Sequence, residues 1–311
     1  MDRNSIVGIV LIGLILVGYS LITKPAREAQ MEAIRRSDSI ARVEQARQEK
    51  LAVERTQNPA VDIAQESSEE DSAIQKQQER NFGVFMSGLQ GEEQHVSIEN
   101  KLIKLDLSTK GGRPYSATLK KYQTHDSLPV VLFDGDSSQF DLQFFADNRR
   151  INTSDLYFTS STNRNLDATQ ESKSVTMRLD VGEDAYIEYV YTLHPKKYML
   201  DFDVRMVGMD QYRTDNVTYL YEVYFPSTEK GYQNENNYTT LYYRYKQGDI
   251  EKFNMRSKKS IQEESALTQL EWIAYKHQFF STVFIAKDNF ESAYMMNERF
   301  DDPGKYIRHF S

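Results

Sequence analysis

The first hydrophobic pattern in the chain is an apolar run at its amino terminus. Residues 6–22 read IVGIVLIGLILVGYSLI, a run of 17 without a charge. As a helix this run extends about 26 Å, enough to cross the hydrocarbon core of a bilayer. Residues 20–25, SLITKP, offer no convincing small-x-small cleavage site of the kind that ends a secretory signal peptide. The pattern therefore predicts an uncleaved transmembrane signal anchor over 1–24.

Charges flanking this run bear on its orientation. Arg3 stands alone before it, whereas Lys24, Arg27, Arg35 and Arg36 follow it. The positive-inside rule taken alone keeps the rest of the chain in the cytoplasm. Long domains cross membranes largely regardless of charge, so this local bias does not decide the topology.

Two segments of different character follow the anchor. Residues 25–55 are rich in Ala, Glu, Arg and Gln and contain no Gly, which favours a helical stalk with too thin an apolar stripe for a coiled coil. Residues 56–80 carry six acids against two bases and few large apolar side chains, which is typical of a flexible linker. We predict a stalk and acidic linker over 25–81 and a folded domain over 82–311.

Beyond the linker, apolar residues alternate with polar ones at a period of two, which indicates strands. No helical pattern of crossover length separates the strand candidates, so an antiparallel sheet structure is favoured over βαβ units. The predicted fold class is mainly β, a large antiparallel sandwich. The strand candidates are 103–107, 115–119, 130–133, 140–145, 174–181, 186–193, 199–206, 218–225, 238–245, 271–275 and 279–286.

Composition excludes several classes of function. The formal net charge is -8 with interspersed bases, so no basic stripe is present to bind nucleic acid. Cysteine is absent, which excludes disulfides, thiolate metal sites, thiol nucleophiles and a lipidated cysteine anchor. The 20 Tyr and 16 Phe favour aromatic-rich strands over helical bundles.

A search for chemistry yields no catalytic, cofactor-binding or metal residue, and we predict a protein that is not an enzyme. The five histidines are scattered without metal-ligand spacing. Asp134, Gly135 and Asp136 resemble the start of a calcium loop, but Gln139 and Phe145 occupy the positions where an EF-hand needs Gly and Glu, so a turn is favoured. Residues 110–113, KGGR, lack the features of a phosphate loop and predict a turn with positive φ.

Clustered tyrosines leave two interpretations open. Rings that alternate along strands normally form core or cross-strand pairs. The functional alternative is a groove that binds an extended apolar peptide or a sugar. The three clusters are Tyr186, Tyr189 and Tyr191; Tyr219, Tyr221 and Tyr224; and Tyr242, Tyr243 and Tyr245.

Three segments of the chain have the character and order of segments in one known family: the opening residues MDRN, the strand and turn NKLIKLDLSTKGG at 100–112, and EWIAYKHQFFSTVFI at 271–285. Together they resemble the bacterial YidC membrane protein insertases. The resemblance implies a periplasmic β-supersandwich similar to galactose mutarotase, with the amino terminus cytoplasmic and the domain at the outer face of the inner membrane. It also implies insertion and folding of nascent inner-membrane proteins in the lipid bilayer, alone or with subunits of the Sec translocon, without a cofactor.

The sequence departs from that family after its first span. The family's insertase core is a set of five further transmembrane helices, and nothing after residue 22 in this chain is apolar enough to cross a bilayer. We therefore expect the chain to be part of a longer protein, ending at Ser311 before its β domain is complete. The alternatives are a membrane-anchored carbohydrate-binding or mutarotase-like envelope protein and a generic envelope scaffold.

Overall fold

The computed structural model describes residues 75–135, 137–210, 212–253, 261–300 and 306–311, with the backbone alone for 213–216. The predicted anchor over 1–24, the stalk and most of the acidic linker lie outside the described residues. Of the predicted linker, residues 75–81 are described, and they are helical and exposed.

The chain enters its folded part through a 3-10 helix, Gly83–Leu89. Gly83 has a φ of 53°, a left-handed conformation that suits glycine at the point where the preceding helix ends. Phe85 is buried and packs edge-on against Phe144, with ring centroids 5.7 Å apart. This contact ties the amino-terminal segment to the sheet structure.

Two sheets come mainly from the first half of the described chain. Sheet I has the order β4-β3-β2-β1-β8 and sheet II the order β11-β10-β9-β7. Among the described pairings that build these two sheets, the short β1–β8 contact is parallel and the others are antiparallel. Sheet I contains β1 His95–Glu99, β2 Ile103–Ser108, β3 Pro114–Gln123, β4 Pro129–Phe133 and β8 Leu166–Asp167; sheet II contains β7 Thr159–Ser160, β9 Lys173–Asp180, β10 Tyr186–Leu193 and β11 Leu200–Val207.

The other two sheets contain the later strands together with β5 and β6. Sheet III has the order β15-β18-β19-β12-β5-β6 and sheet IV the order β14-β13-β16-β17. Sheet III contains β5 Ser138–Ala146, β6 Arg149–Asn152, β12 Arg213–Pro226, β15 Ile261–Ala266, β18 Ala293–Arg299 and β19 Tyr306–Phe310; sheet IV contains β13 Thr240–Tyr245, β14 Ile250–Lys252, β16 Leu270–Lys276 and β17 Ser281–Phe290. Two short helical segments, Thr153–Asp155 and Tyr232–Tyr238, join strands.

Burial divides the interior into two hydrophobic cores. The first core takes side chains mainly from β1 to β11, and the second core takes them mainly from β12 to β19. Strand β5 contributes to both, because Phe140 lies in the second core and Leu142 and Phe144 lie in the first. The mainly β, largely antiparallel architecture predicted from the alternating pattern is confirmed for the described residues.

The predicted positive-φ turn after β2 is present. Gly111 and Gly112 have φ values of 78° and 60°. A Cβ atom at Gly112 would lie 2.9 Å from the ring of Phe158, so both conformation and space require glycine there. The Tyr191 hydroxyl donates a 2.7 Å hydrogen bond to the Gly112 carbonyl, which joins sheet I to sheet II.

One predicted strand begins too early. Residues 238–245 were expected to be extended, but Tyr238 ends the helix Tyr232–Tyr238 and β13 starts at Thr240. The helix ends in a polar cap, because Thr239, the residue after it, donates both its N–H and its hydroxyl to the Glu235 carbonyl. An alternating pattern of tyrosines does not reveal such local capping.

Candidate functional site

The three tyrosine clusters are built mainly as core. Tyr189, Tyr191, Tyr221 and Tyr243 are buried, as expected for alternating rings on strands. Burial raises the pKa values of Tyr189 and Tyr191, so both hydroxyls act as neutral hydrogen-bonding groups. Tyr219 lies on the same side of β12 as Tyr221, against Phe140, but it is 47% exposed. The clusters thus favour the core interpretation over a continuous binding groove.

Apolar side chains are instead exposed where three hairpins meet. Tyr122, at the end of β3, joins the turns of these three hairpins: β3–β4, β10–β11 and β16–β17. Its ring centroid lies 5.1 Å from that of Phe280 in the β16–β17 turn, and it also contacts Tyr198 in the β10–β11 turn. The pKa of Tyr198 is raised by burial and by its hydrogen bond with Tyr122. We call this surface the hairpin end; its members are Tyr122, Leu128, Tyr198, Met199 and Phe279, each between 41% and 66% exposed.

A cleft adjoins the hairpin end. It lies between β4, the carboxyl end of β12 and the β16–β17 hairpin, where Phe280 lines the cleft and also packs against Tyr122 of the hairpin end. Most of the lining is apolar, and Thr228, Ser281 and Thr282 contribute hydroxyl groups. The lining residues are Val130, Val131, Leu132, Phe225, Pro226, Thr228, Tyr275, His277, Phe280, Ser281 and Thr282.

A buried carboxylate and an imidazole lie beside this cleft. Glu235 is fully buried and accepts hydrogen bonds from the Ser227 hydroxyl at 2.8 Å, and from the Thr228 N–H and hydroxyl at 2.9 and 2.7 Å. His277 Nε2 is 3.4 Å from Glu235 Oε1. Burial lowers the pKa of His277, and the charge of Glu235 partly offsets that effect.

This pair is arranged to hold structure rather than to transfer protons. The carboxylate oxygens of Glu235 are already occupied by the loop after β12, and the side chain has no surface in the cleft. An acid and a base for catalysis must both reach the reacting atom. Of the described residues that line the cleft, His277 alone changes charge near neutral pH. Sequence inspection missed the pair because its members are brought together by tertiary folding.

The acidic turn after β4 is also structural. Asp136 lies outside the described residues. The Asp134 carboxylate accepts the Ser137 N–H at 2.8 Å and the Ser137 hydroxyl at 2.6 Å, which closes a polar turn. Asp141 points away into the core, where it accepts the Thr153 hydroxyl and the Ser154 N–H. Within the described ranges, no group of three or more His, Asp or Glu side chains is placed to hold a metal ion.

Among the helices of the described residues, none reaches the length and hydrophobicity of a membrane span.

Comparison with known proteins gives a consistent result. A family model of the YidC periplasmic domain matches residues 95–311. The chain is 34% identical over 314 residues to the membrane protein insertase YidC of Bacteroides fragilis strain ATCC 25285, covering 100% of this chain and 47% of the relative. It is 36% identical over 297 residues to the membrane protein insertase YidC of Parabacteroides distasonis, covering 94% of this chain and 45% of the relative. The chain spans about half the length of the curated relatives it matches.

Proposed function

The chain belongs to the YidC membrane protein insertase family, and from that premise we propose that it forms the anchor and periplasmic β domain of a membrane protein insertase. The observation that carries the proposal is the alignment of the whole chain with 47% of a named insertase. Residues 95–311 match the periplasmic domain of that family, which supports a location outside the bilayer for the domain that contains the two cores.

A domain exchange tests this proposal. The matching 47% of the Bacteroides fragilis protein is replaced by this chain, and the chimera is expressed while the native insertase is depleted. We expect the chimera to restore growth and membrane insertion of a reporter protein. A second chimera carries an unrelated β domain of similar size behind the same anchor. Failure of the first chimera at normal expression, or equal success of the second, contradicts a specific role for this domain.

We propose that residues 6–22 stay uncleaved in the inner membrane, with the amino terminus cytoplasmic and the folded domain periplasmic. The uninterrupted apolar run supports the anchor, and membership of the family supports the orientation against the local charge bias. Mass spectrometry of the mature chain should find the original amino terminus. Protease added to spheroplasts should digest the domain, whereas protection would place it in the cytoplasm.

We also propose that the four sheets assemble as a β-supersandwich related to galactose mutarotase. The long antiparallel sheets and the two cores joined by β5 support this proposal. A sugar-processing activity has less support, because among the described residues that line the cleft only His277 changes charge near neutral pH, and Glu235 is enclosed behind it. A glycan array probed with the chain should therefore give no specific binding.

Nascent inner-membrane proteins and Sec translocon subunits are the partners we propose. The exposed apolar hairpin end supports contacts with extended apolar chain segments. A photo-crosslinking residue at Phe279 or Met199 should capture a nascent membrane protein or a Sec subunit. The matched control places the same residue at Tyr294, which is 59% exposed in a different sheet. Equal capture at Tyr294 would contradict the assignment of this surface.

A further inference from the structure

The outer side of sheet IV exposes a patch of large apolar side chains. Along β13, β16 and β17 the side chains alternate, and those on the inner side pack into the second core. The outer side carries Trp272, the single tryptophan of the chain. Trp272 pairs with Ile285, which is 55% exposed, and with Arg244 on its other side. We call this surface the Trp272 face; its apolar members are Tyr242, Ile250, Trp272, Val283 and Ile285.

Cations are interleaved with this patch. Arg244, Lys252 and Lys276 lie on the same side of the sheet, since each occupies an outer register position. Lys252 Nζ lies 5.9 Å from the centre of the Tyr242 ring. Partial burial lowers the pKa of Lys276, and the nearby charge of Lys252 lowers it further, so the two ammonium groups face one region.

Acidic groups are few on this face and sit towards one end. Glu271 forms a 3.2 Å ion pair with Arg244. Asp249, Asp288 and Glu291 lie in or beside the turns at the end of the sheet where Tyr245 pairs with Leu270. Glu251 is exposed on the edge strand β14, at the inner register position between Ile250 and Lys252. Because Arg244 is paired with Glu271, the positive charge of the face comes mainly from Lys252 and Lys276, although the whole chain has a formal net charge of -8.

This combination matches the chemistry of an anionic bilayer surface. Trp and Tyr rings favour the headgroup level of membranes, because one part of each ring system is apolar and another can hydrogen-bond to water. Lys and Arg beside them attract anionic headgroups while their aliphatic stems cover apolar surface. Ile250, Val283 and Ile285 would lose unfavourable contact with water at such a surface.

We propose that the Trp272 face is a peripheral membrane-binding surface that rests on anionic phospholipid headgroups. The charge complementarity between its cations and lipid phosphate selects this partner. The inference rests on the proposed location at the membrane, and it adds a second contact with lipid besides the amino-terminal anchor. Such a contact orients the β domain relative to the bilayer.

Trp272 itself reports on the proposal. The full chain is reconstituted with vesicles of phosphatidylcholine alone or mixed equally with phosphatidylglycerol, each containing acyl chains brominated as quenchers. We expect bromine quenching and a blue shift of Trp272 emission in the anionic vesicles, and much weaker quenching in the zwitterionic ones. In the double variant Arg244→Gln with Lys252→Gln, the ratio of chains whose Trp272 face is bound to lipid to chains whose face is free should fall roughly 30-fold. Each basic residue near an anionic surface contributes a substantial share of the binding free energy. The matched control, Lys101→Gln with Lys121→Gln, changes the net charge equally at exposed positions in the region of sheet I.

Flotation of the vesicles separates this inference from the proposed anchor. If the chain floats with both lipids but Trp272 is not quenched in either, the anchor stands and the membrane-binding face is wrong. If the chain floats only with anionic vesicles and the double variant does not float, the face stands and the anchor is wrong. If Trp272 emission shifts to the blue with rising protein concentration in the absence of lipid, and brominated vesicles do not quench it, the face mediates self-association and the inference is wrong.

Discussion

The two cores of the β domain differ in chemistry. Among the described residues, five of the 26 buried in the first core are aromatic, compared with seven of the 13 in the second core. The Glu235–His277 pair and the Trp272 face belong to the strands and loops around the second core, and the cleft lies between those strands and β4 of sheet I. An aliphatic interior can close completely, whereas tyrosine and histidine bring polar atoms that must find partners at the edge of the core.

The two cores also differ in what they hold in place. The first core binds the entering chain through Phe85 and is sealed by hydrogen bonds such as the one from Tyr191 to Gly112. The second core supports the Trp272 face, whereas the hairpin end is formed by turns of sheets I, II and IV. Strand β5 carries side chains into both cores, so the two should not unfold independently.

Cavities in the two cores should give the largest effects. Phe310 is fully buried against Phe225 and Tyr275, and Leu142 is fully buried in the first core. We expect Phe310→Ala to lower the free energy of unfolding by about 3 to 5 kcal/mol and Leu142→Ala by about 2 to 5 kcal/mol. Urea unfolding followed by far-ultraviolet circular dichroism and by Trp272 fluorescence measures both.

The two probes also test whether the cores are coupled. Trp272 lies in sheet IV, so its fluorescence reports on the second half of the domain. If the cores unfold together, Leu142→Ala shifts the Trp272 transition as far as the circular dichroism transition. An unchanged Trp272 midpoint in that variant would separate the halves and contradict the role given to β5.

Much of the fold could be predicted because most strands are half-buried and alternate cleanly. Strand β10 was predicted residue for residue at 186–193, and it alternates between half-buried and buried positions. Strand β19 escaped prediction for the opposite reason. Arg308 and His309 are both buried within it, so its polar residues break the pattern. Arg308 is accommodated by 3.1 Å hydrogen bonds to Asn297 Oδ1 and the Asn236 carbonyl, which no local pattern reveals.

The candidate surfaces could be predicted less well. Tyr242 was recognised as part of a ring cluster, but its place beside Trp272 and Lys252 depends on the pairing of β13 with β14 and β16. The hairpin end depends on three turns that are far apart in sequence. Family resemblance supplied the function, because the residues alone offered no reactive constellation to recognise.

The buried carboxylate of the second half gives the next largest expected effect. Glu235→Ala would leave the Ser227 and Thr228 donors without their acceptor and would remove the carboxylate 3.4 Å from His277 Nε2. We expect a loss of roughly 3 kcal/mol in the free energy of unfolding, typical of breaking a buried hydrogen-bonded charge. Glu235→Gln, which keeps the shape and part of the bonding, should lose clearly less. Equal losses in thermal or urea unfolding would contradict a role based on hydrogen bonding.

Two tyrosine hydroxyls compare a buried hydrogen-bond acceptor with a partly exposed one. Tyr191 donates to the buried Gly112 carbonyl, whereas Tyr243 donates to the partly exposed Glu264 carboxylate. Removing the first hydroxyl leaves a carbonyl that water cannot reach, so Tyr191→Phe should cost about 1 to 2 kcal/mol. Water can replace the second hydroxyl, and Tyr243→Phe should cost at most about 1 kcal/mol. The order of the two midpoints in urea unfolding decides between these environments.

The smallest effect concerns the pH dependence of stability near His277. Burial holds the pKa of His277 in the folded chain below its ordinary value, so the unfolded chain takes up the proton first as the pH falls. Stability from this group is therefore complete above the ordinary pKa of about 6.5 and declines as the pH falls through and below it. The free energy of unfolding should decrease over this range, and His277→Gln should remove that part of the slope. NMR titration of the imidazole in the intact chain should place its midpoint below the ordinary value. If the variant keeps the whole pH dependence of the free energy of unfolding, that dependence comes from groups other than His277.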